Sequence, residues 1–223
     1  YDQFAQALLV SDGNTTAHPP AKYYRAAKDT NDALETTAQI FLGSRLACAK
    51  CHNHPFDRWT MDDYYSFAAF FSQVGRKGAE DPRETIVFNS GSGEVNHQVG
   101  GRVMAPKFLG GPQPDVAGRD RRAVVARWMT SPDNPYFARN LANIVWAHFF
   151  GVGIIDPVDD IRAGNPPSNP ELLSALEHSF TDSGFDFDTL VRTICRSHTW
   201  QRSFVSNKWN VDDRVNFSHC IPR

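Results

Sequence analysis

The sequence predicts a mainly α-helical protein made of two packed helical regions, with a small β-hairpin insertion around residues 84–104. Two observations support this fold class. Apolar residues recur at three- and four-residue spacing through most of the chain, as they do on one face of an α-helix. Between Gly75 and Pro114 this pattern gives way to frequent glycine and proline and to alternating β-branched residues, which is typical of short strands. Helical spacing resumes after Gly118.

The first region is predicted to contain three helices. Residues 2–10 carry an apolar stripe that indicates the first one. A second helix is predicted to run to Leu46 and to deliver Cys48 at or near its C-terminal end. Thr60 opens the third helix, where Asp63 supplies a variant of the capping box.

The insertion is predicted to be a pair of short strand segments. Residues 85–88 form one segment, and residues 94–104 fold back on themselves through a two-residue turn at Gly100–Gly101. In that register, His97 lies opposite Met104. We therefore expect a small sheet or ordered loop within an otherwise helical protein.

The second region carries clear helix signals. Residues 121–129 and 136–150 have helical spacing, and Gly151 follows the second of these segments. Asn169 is a candidate cap with a proline at the first helical position. The last helix is predicted to begin at Asp188.

Composition excludes several classes of protein. The chain has 223 residues, 41% of them hydrophobic, which is enough for a real core, and its formal net charge is −2. Since no block of like charge is present, a nucleic-acid partner is not expected. No apolar run approaches the roughly 18 residues that a transmembrane helix needs. Of the four cysteines, Cys195 and Cys220 have no assigned pairing; a disulfide and a buried thiol remain open for them.

The most informative stretch is Cys48-Ala49-Lys50-Cys51-His52, which has the C-x-x-C-H spacing of a c-type haem attachment motif. Two thiols one helical turn apart can each add to a haem vinyl group. The histidine that follows can then donate a nitrogen to the iron. We therefore expect one covalently bound haem c, with Cys48 and Cys51 as its attachment points and His52 as the proximal iron ligand.

Two haem-free interpretations of the motif remain open. Together with His54, the motif offers two thiolates and two imidazoles, which are the ligand types of tetrahedral zinc. However, adjacent loop residues would all have to turn inward at once, and zinc sites usually draw on two separated pairs. In the other interpretation the motif is purely structural or forms a disulfide.

Basic and aromatic residues near the motif are candidates for holding the haem. They are His54, Arg45, Lys50, Arg58, Phe56 and Trp59. His54 is expected to bond a haem propionate or the local backbone, and the basic residues can neutralise propionates. The aromatic rings can pack against the porphyrin edge. A solvated basic surface and core aromatic rings are equally compatible with these residues.

The ligand on the opposite, distal side of the iron decides the chemistry. A second histidine or a methionine would make an electron-transfer site, whereas an open position would allow chemistry at the iron. Helical spacing places His148 on the apolar face of Leu141 and Ile144, and His198 on the face of Ile194. We take His148 and His198 as candidate distal ligands, and Met104 and His97 on the hairpin as the next candidates.

Several longer strings carry a resemblance to a known family. They are CAKCHNHPFDRW (residues 48–59), DDYY (62–65), SPDNPYFAR (131–139), VWAHFFG (145–151), NPPSNPELL (165–173) and NFSH (216–219). These strings resemble the planctomycete cytochrome-like secreted proteins, which carry two consecutive domains of unknown function, the first with a C-x-x-C-H string.

The resemblance implies a domain organisation and a location. It implies a haem-binding region with the β insertion at residues 1–117 and a truncated helical second domain at residues 118–223. It also implies that both ends of the chain are cut, and that the whole protein is periplasmic or secreted, often with a separate cytochrome c module upstream. Because His148 lies inside one of the family strings, the resemblance ranks it above His198.

We therefore expect an electron-transfer module with covalent haem. Its expected partners are a redox protein or other haem domains of the same assembly, and an oligomer is compatible with the sequence. The first alternative is a haem-dependent oxidoreductase with an open iron site. The second is a haem-free scaffold that binds zinc or has only a structural role.

Overall fold

A computed structural model describes residues 1–213 and 215–219. Among these residues the chain forms eight α-helices and two small antiparallel sheets, one of three strands and one of two. The predicted class, mainly α with a small β insertion, is confirmed.

The helices and strands have the following bounds. The helices are α1 Asp2–Leu9, α2 Tyr23–Ala26, α3 Thr30–Leu42, α4 Met61–Ala68, α5 Arg121–Met129, α6 Phe137–Phe150, α7 Pro170–Asp182 and α8 Phe187–Arg196. Two short 3-10 helices cover Pro19–Lys22 and Ala47–Lys50. The strands are β1 Gly13–Asn14, β2 Val74–Gly78, β3 Thr85–Asn89, β4 Val95–Asn96 and β5 Val103–Met104. The observed starts of α5, α6 and α8 agree with the predicted ones to within one residue.

The chain divides into two compact units that interleave along the sequence. The first, called here the motif unit, comprises residues 2–39 and 45–131. The second, called the helical unit, comprises Tyr1, residues 40–44 and residues 132–223, within which the structure describes 132–213 and 215–219. The predicted domain boundary between residues 117 and 118 stays a prediction.

The core of the motif unit is built around α4. Its buried ring of Phe67 meets the ring of Trp128 edge-on, with ring centres 6.1 Å apart, and Phe108 stacks on Trp128 at 4.8 Å. The predicted capping box starts this helix: Asp63 N donates to Thr60 Oγ1, and Thr60 N donates to the Asp63 carboxylate. The cap therefore fixes where α4 begins, after the loop of residues 53–60 that follows the C-x-x-C-H stretch.

The prediction that the second helix runs to Leu46 and delivers Cys48 is wrong. Helix α3 ends at Leu42, because Gly43 adopts a left-handed conformation with φ of 64°. Its position is crowded as well: a Cβ there would lie 2.6 Å from Ile161 Cδ1. Cys48 instead lies in a separate 3-10 turn, Ala47–Lys50.

The predicted register of the hairpin is wrong by two residues. Val95 pairs with Met104, and His97 N donates to Arg102 O, so His97 lies opposite Arg102 and not opposite Met104. The connecting loop therefore has four residues, 98–101. Both of its glycines are in left-handed conformations, and His97 Nδ1 accepts from Val99 N within it. Strand β3 pairs with β1 and β2 in the other sheet.

In the helical unit, α6 packs against α7 and α8. Two buried asparagines on α6 hold loops by their side chains. Asn140 Nδ2 donates to Ile40 O, and Asn143 both accepts from Ile155 N and donates to Ile155 O. Gly151, in the left-handed conformation, ends α6 as predicted.

Candidate haem attachment site

The two motif thiols are presented on the outside of a short turn. Ala49, in the 3-10 helix, is fully buried and anchors the turn, and its N donates to Leu46 O at 2.8 Å. Cys48 and Cys51, which flank this anchor, are both exposed and are free thiols. The turn therefore offers both sulfur atoms to a group approaching from solvent.

His52 follows the second thiol and is also exposed. Its Nδ1 lies 2.8 Å from the carbonyl oxygen of Asn53, which is the distance of a hydrogen bond donated by the ring. A histidine that donates from Nδ1 to a backbone carbonyl keeps a lone pair on Nε2, which is the nitrogen it then uses as a metal ligand. The local backbone therefore selects the tautomer of His52 that an axial ligand needs.

The segment after the motif is tied to the start of α4. The side-chain oxygen of Asn53 accepts from Met61 N at 3.1 Å, which satisfies one of the free N–H groups at the start of the helix. His54 N donates to Trp59 O at 2.8 Å and closes the loop between them. Residues 53–60 therefore form a closed loop on the helix N-terminus.

The segment before Cys51 is tied to the same helix by Tyr65. The Tyr65 hydroxyl donates to Lys50 O at 2.8 Å, and the side chain is 6% exposed. Burial raises the pKa of Tyr65 above its usual value, with the nearby charge of Cys51 as a second cause. The phenol therefore stays neutral and keeps the proton that it donates to the turn.

The residues predicted to lie beside the haem differ in their exposure and in their contacts. His54 Nδ1 accepts from Phe56 N at 3.2 Å, so this histidine bonds the local backbone. Trp59 is 3% exposed, whereas Phe56 is 72% exposed. The guanidinium of Arg58 lies over the Trp59 ring at 4.6 Å, which is a cation–π contact.

The remaining basic candidates, Arg45 and Lys50, are exposed and half-buried, respectively. Their predicted contacts with propionates stay predictions.

On the hairpin, both nitrogens of His97 face other groups. Nδ1 lies 3.0 Å from Val99 N, and Nε2 lies 3.2 Å from the carboxylate of Asp62. This histidine is buried, and its role as a distal ligand stays a prediction. Met104, also buried, lines a small cleft beside Ser66, and its role as a distal ligand stays a prediction.

The two histidine candidates for the distal ligand lie in the helical unit, whereas the motif lies in the motif unit. His148 is exposed at the rim of an apolar groove of about 420 Å³. Helix α6 lines this groove with Leu141, Ile144 and Val145, as the helical spacing predicted.

The prediction that His198 lies on a helix is wrong: α8 ends at Arg196 with Ser197 as its cap, and exposed His198 follows in a turn. For both histidines, ligation of the iron stays a prediction. Of the two cysteines outside the motif, Cys195 is half-buried and Cys220 lies outside the described residues.

The four residues of the zinc interpretation do not converge. Over residues 1–213 and 215–219, no group of three or more His, Cys, Asp or Glu side chains is arranged to hold a metal ion. Cys48, Cys51, His52 and His54 all lie within that range. Attachment of haem requires only one iron ligand from the motif, and the zinc interpretation stays a prediction.

Sequence reasoning missed Tyr65 and Asn53. Both act through hydrogen bonds to backbone groups, 15 residues away for Tyr65 and 8 for Asn53. In sequence, both residues lie in strings that carry the family resemblance, residues 48–59 and 62–65, and both are near the Thr60 cap, which turns the chain back on itself. These features place both residues near the motif without showing which atoms they contact.

Comparison with family models gives two matches that together cover most of the chain. Residues 1–76 match PSCyt2, described as a protein of unknown function (DUF1549), and residues 121–220 match PSD1, described as a protein of unknown function (DUF1553). These matches support the paired-domain family. The C-x-x-C-H stretch lies inside the PSCyt2 match, and α5 to α8 lie inside the PSD1 match.

No curated protein and no solved structure matches the chain. Among the helices that the structure describes, none combines the length and the apolar character needed to cross a bilayer.

Proposed function

We propose that this chain is a c-type haem-binding electron-transfer module of a periplasmic or secreted protein. The observation that carries the proposal is the geometry of the turn: two exposed thiols flank a buried anchor, and the next residue is a histidine with Nδ1 bonded to backbone. These residue types in this arrangement fit haem c.

The two cysteines and the histidine of the motif would hold the haem. The Cys48 and Cys51 thiols would each add to a vinyl group, forming an S–C bond while the thiol proton passes to the neighbouring vinyl carbon. His52 would hold the iron through Nε2 while Asn53 O keeps its ring oriented. When bound, the haem iron supplies a one-electron redox couple whose potential depends on its axial ligands and on burial.

The location follows from the same chemistry. Bacteria attach haem c outside the cytoplasm, so a chain that carries it is periplasmic or secreted. Its redox partner would be a second protein or another haem domain of the same assembly. Exchange of single electrons requires no substrate pocket at the iron, which fits a motif lying on an exposed turn.

The test is covalent attachment, measured by intact mass and by the pyridine haemochrome spectrum. In a host that loads a known c-type cytochrome, we expect the wild-type chain to gain the mass of one haem. Cys48→Ala and Cys51→Ala should each lose one thioether bond, and the double variant should lose covalent haem. Cys195→Ala is the matched control, because this cysteine lies outside the motif, and it should load like wild type.

Two results would contradict the proposal. An unmodified wild-type mass, in a host that loads the known cytochrome, would show that this chain does not attach haem. Rapid binding of carbon monoxide to the reduced wild-type protein would instead indicate an open iron site. It would favour a haem oxidoreductase over an electron-transfer module.

A further inference from the structure

We propose that Tyr65 is a positioning residue for the haem attachment turn, and that the β4–β5 hairpin supports the turn through it. The inference rests on the proposed function and deepens it, because it names what orients Cys51 and His52. Tyr65 takes no part in the thiol addition and is not an iron ligand; it acts through the backbone of Lys50.

The first step is the contact between Tyr65 and the turn. The carbonyl of Lys50, which accepts from Tyr65 at 2.8 Å, belongs to the peptide group that joins Lys50 to Cys51. A peptide group is planar, so fixing the direction of its C=O also fixes the direction of the Cys51 N–H. The side chain of Tyr65 is buried and can adopt few rotamers. The phenol is therefore a rigid support for the second half of the motif.

The second step joins Tyr65 to the hairpin loop. The side-chain oxygen of Gln98 lies 3.0 Å from the same hydroxyl. One hydroxyl proton cannot serve both Lys50 O and Gln98 Oε1. If the Gln98 amide is turned over, its NH₂ group can donate to the phenol oxygen instead. The chain of donors would then run from Gln98 to Tyr65 to Lys50.

The third step concerns the packing of the Tyr65 ring. His97, at the end of β4, packs against it with ring centres 5.0 Å apart. The Nε2 atom of His97 lies 3.2 Å from the carboxylate of Asp62, on α4. The hairpin therefore contacts Tyr65 both at its ring and at its hydroxyl group.

The neighbouring tyrosine offers a matched control. Tyr64, also on α4, is fully buried, and its hydroxyl donates to Glu35 at 2.6 Å. Tyr64→Phe and Tyr65→Phe therefore remove the same atom from adjacent buried rings of one helix. Only the second change touches the motif.

The experiment compares these two variants with wild type after maturation in the same host. We expect Tyr65→Phe to lower severalfold the fraction of chains with both thioether bonds, measured by intact mass and by the haemochrome band, which reports unreacted vinyl groups. Tyr64→Phe should match wild type in that fraction, even if its melting temperature falls as much. Equal loading of the two variants would overturn the role of Tyr65.

Variants of Gln98 provide a second, independent test. Its side chain is exposed, so Gln98→Leu is expected to fold even if Tyr65→Phe does not. We expect Gln98→Leu to lower double attachment in the same direction, while Val99→Ala, an exposed change in the same loop, leaves it unchanged. Wild-type loading of Gln98→Leu would overturn the role of the hairpin.

A further readout separates this inference from the proposed function. If the wild-type chain carries no haem, the proposed function fails, and the positioning role is then judged on the haem-free protein by amide hydrogen exchange. Tyr65→Phe should speed exchange in the peptide spanning residues 47–54 severalfold relative to Tyr64→Phe. Equal exchange in the two variants would overturn the positioning role as well.

Discussion

Three Asp–Arg ion pairs share the local sequence Asp-x-Arg but differ in burial, and burial decides how much each pair stabilises the fold. They are Asp81–Arg83, Asp120–Arg122 and Asp160–Arg162, each with the arginine Nε donating to the aspartate two residues before it. In the first pair the side chains are 34% and 86% exposed, and in the second 27% and 2%. Arg122, which is itself buried, also contacts the half-exposed carboxylate of Asp12 at 2.9 Å.

The first prediction concerns Asp120→Asn. Burial raises the pKa of Asp120, but the hydrogen bonds and charge of Arg122 outweigh burial and hold that pKa below its usual value. A depressed pKa contributes stability that is present above the unfolded pKa of about 4 and is lost as pH falls below it. Asparagine also caps helices well, so the substitution keeps the cap of α5 and removes the charge.

We expect Asp120→Asn to lower the free energy of unfolding at pH 7 by about 1–3 kcal/mol. It should also flatten the loss of stability between pH 5 and pH 2, measured by urea unfolding across that range. Asp81→Asn is the control, since its pair is solvent-exposed and should change the unfolding curve little. An acid dependence that is unchanged by Asp120→Asn would contradict this account.

At the scale of elements, the end of α3 decides where the attachment turn begins. Apolar spacing alone continues from α3 to Leu46, but the helix stops at Leu42 because the backbone of Gly43 is left-handed. The Gly43 carbonyl then accepts from Ile161 N at 2.8 Å. Position 43 therefore requires glycine for two reasons: its φ is positive, and its close neighbours leave no room for a Cβ.

The second prediction is that Gly43→Ala destabilises the protein more than Gly118→Ala does. Both glycines have φ of 64°, which costs an alanine about 1–2 kcal/mol. Only at Gly43 would the new Cβ meet other atoms, Ile161 Cδ1 at 2.6 Å and Asn140 Oδ1 at 2.7 Å, whereas nothing lies within 4 Å at Gly118. Overpacking of this kind adds about 1–3 kcal/mol. Urea unfolding of both variants checks the difference, and equal losses would show that the contact at Gly43 relaxes freely.

At the scale of the whole molecule, the helical unit is discontinuous in sequence. It includes Tyr1 and residues 40–44 as well as the chain from residue 132 onward. The ring of Tyr1 stacks on Phe137, with ring centres 5.4 Å apart. Asn140 Nδ2 bonds Ile40 O at 2.7 Å. Segments far apart in sequence therefore complete one core.

The third prediction is that residues 118–223, expressed alone, form a less stable and less ordered unit than they do in the full chain. Asn140 and Ile161 would lose backbone partners, and a buried polar group left without its partner costs about 1–3 kcal/mol. Near-UV circular dichroism and thermal unfolding of the fragment, beside the full chain, measure this loss. A fragment that melts as sharply and at the same temperature as the full chain would contradict it.

The elements that were predicted correctly are those specified by short-range rules. The Thr60 capping box, the Asn169-Pro170 helix start and the Gly151 stop each involve atoms within a few residues of one another. For the candidate site, the spacing of the motif predicts the roles of its thiols and histidine, and these roles stay predictions. The spacing does not identify Tyr65, because residues 50 and 65 meet only after α4 has turned back over the motif.

By itself, the sequence determined the fold class, the ends of the capped helices and the order of reactive groups in the C-x-x-C-H turn. Periodicity and caps act over one or two turns of chain, so they can be recognised without a structure. Tertiary structure alone decided the end of α3, the register of the hairpin and the support of the turn by Tyr65. Each of these depends on space and hydrogen-bond partners supplied by residues distant in sequence: Ile161 at Gly43, α4 beneath the hairpin, and Tyr65 at Lys50.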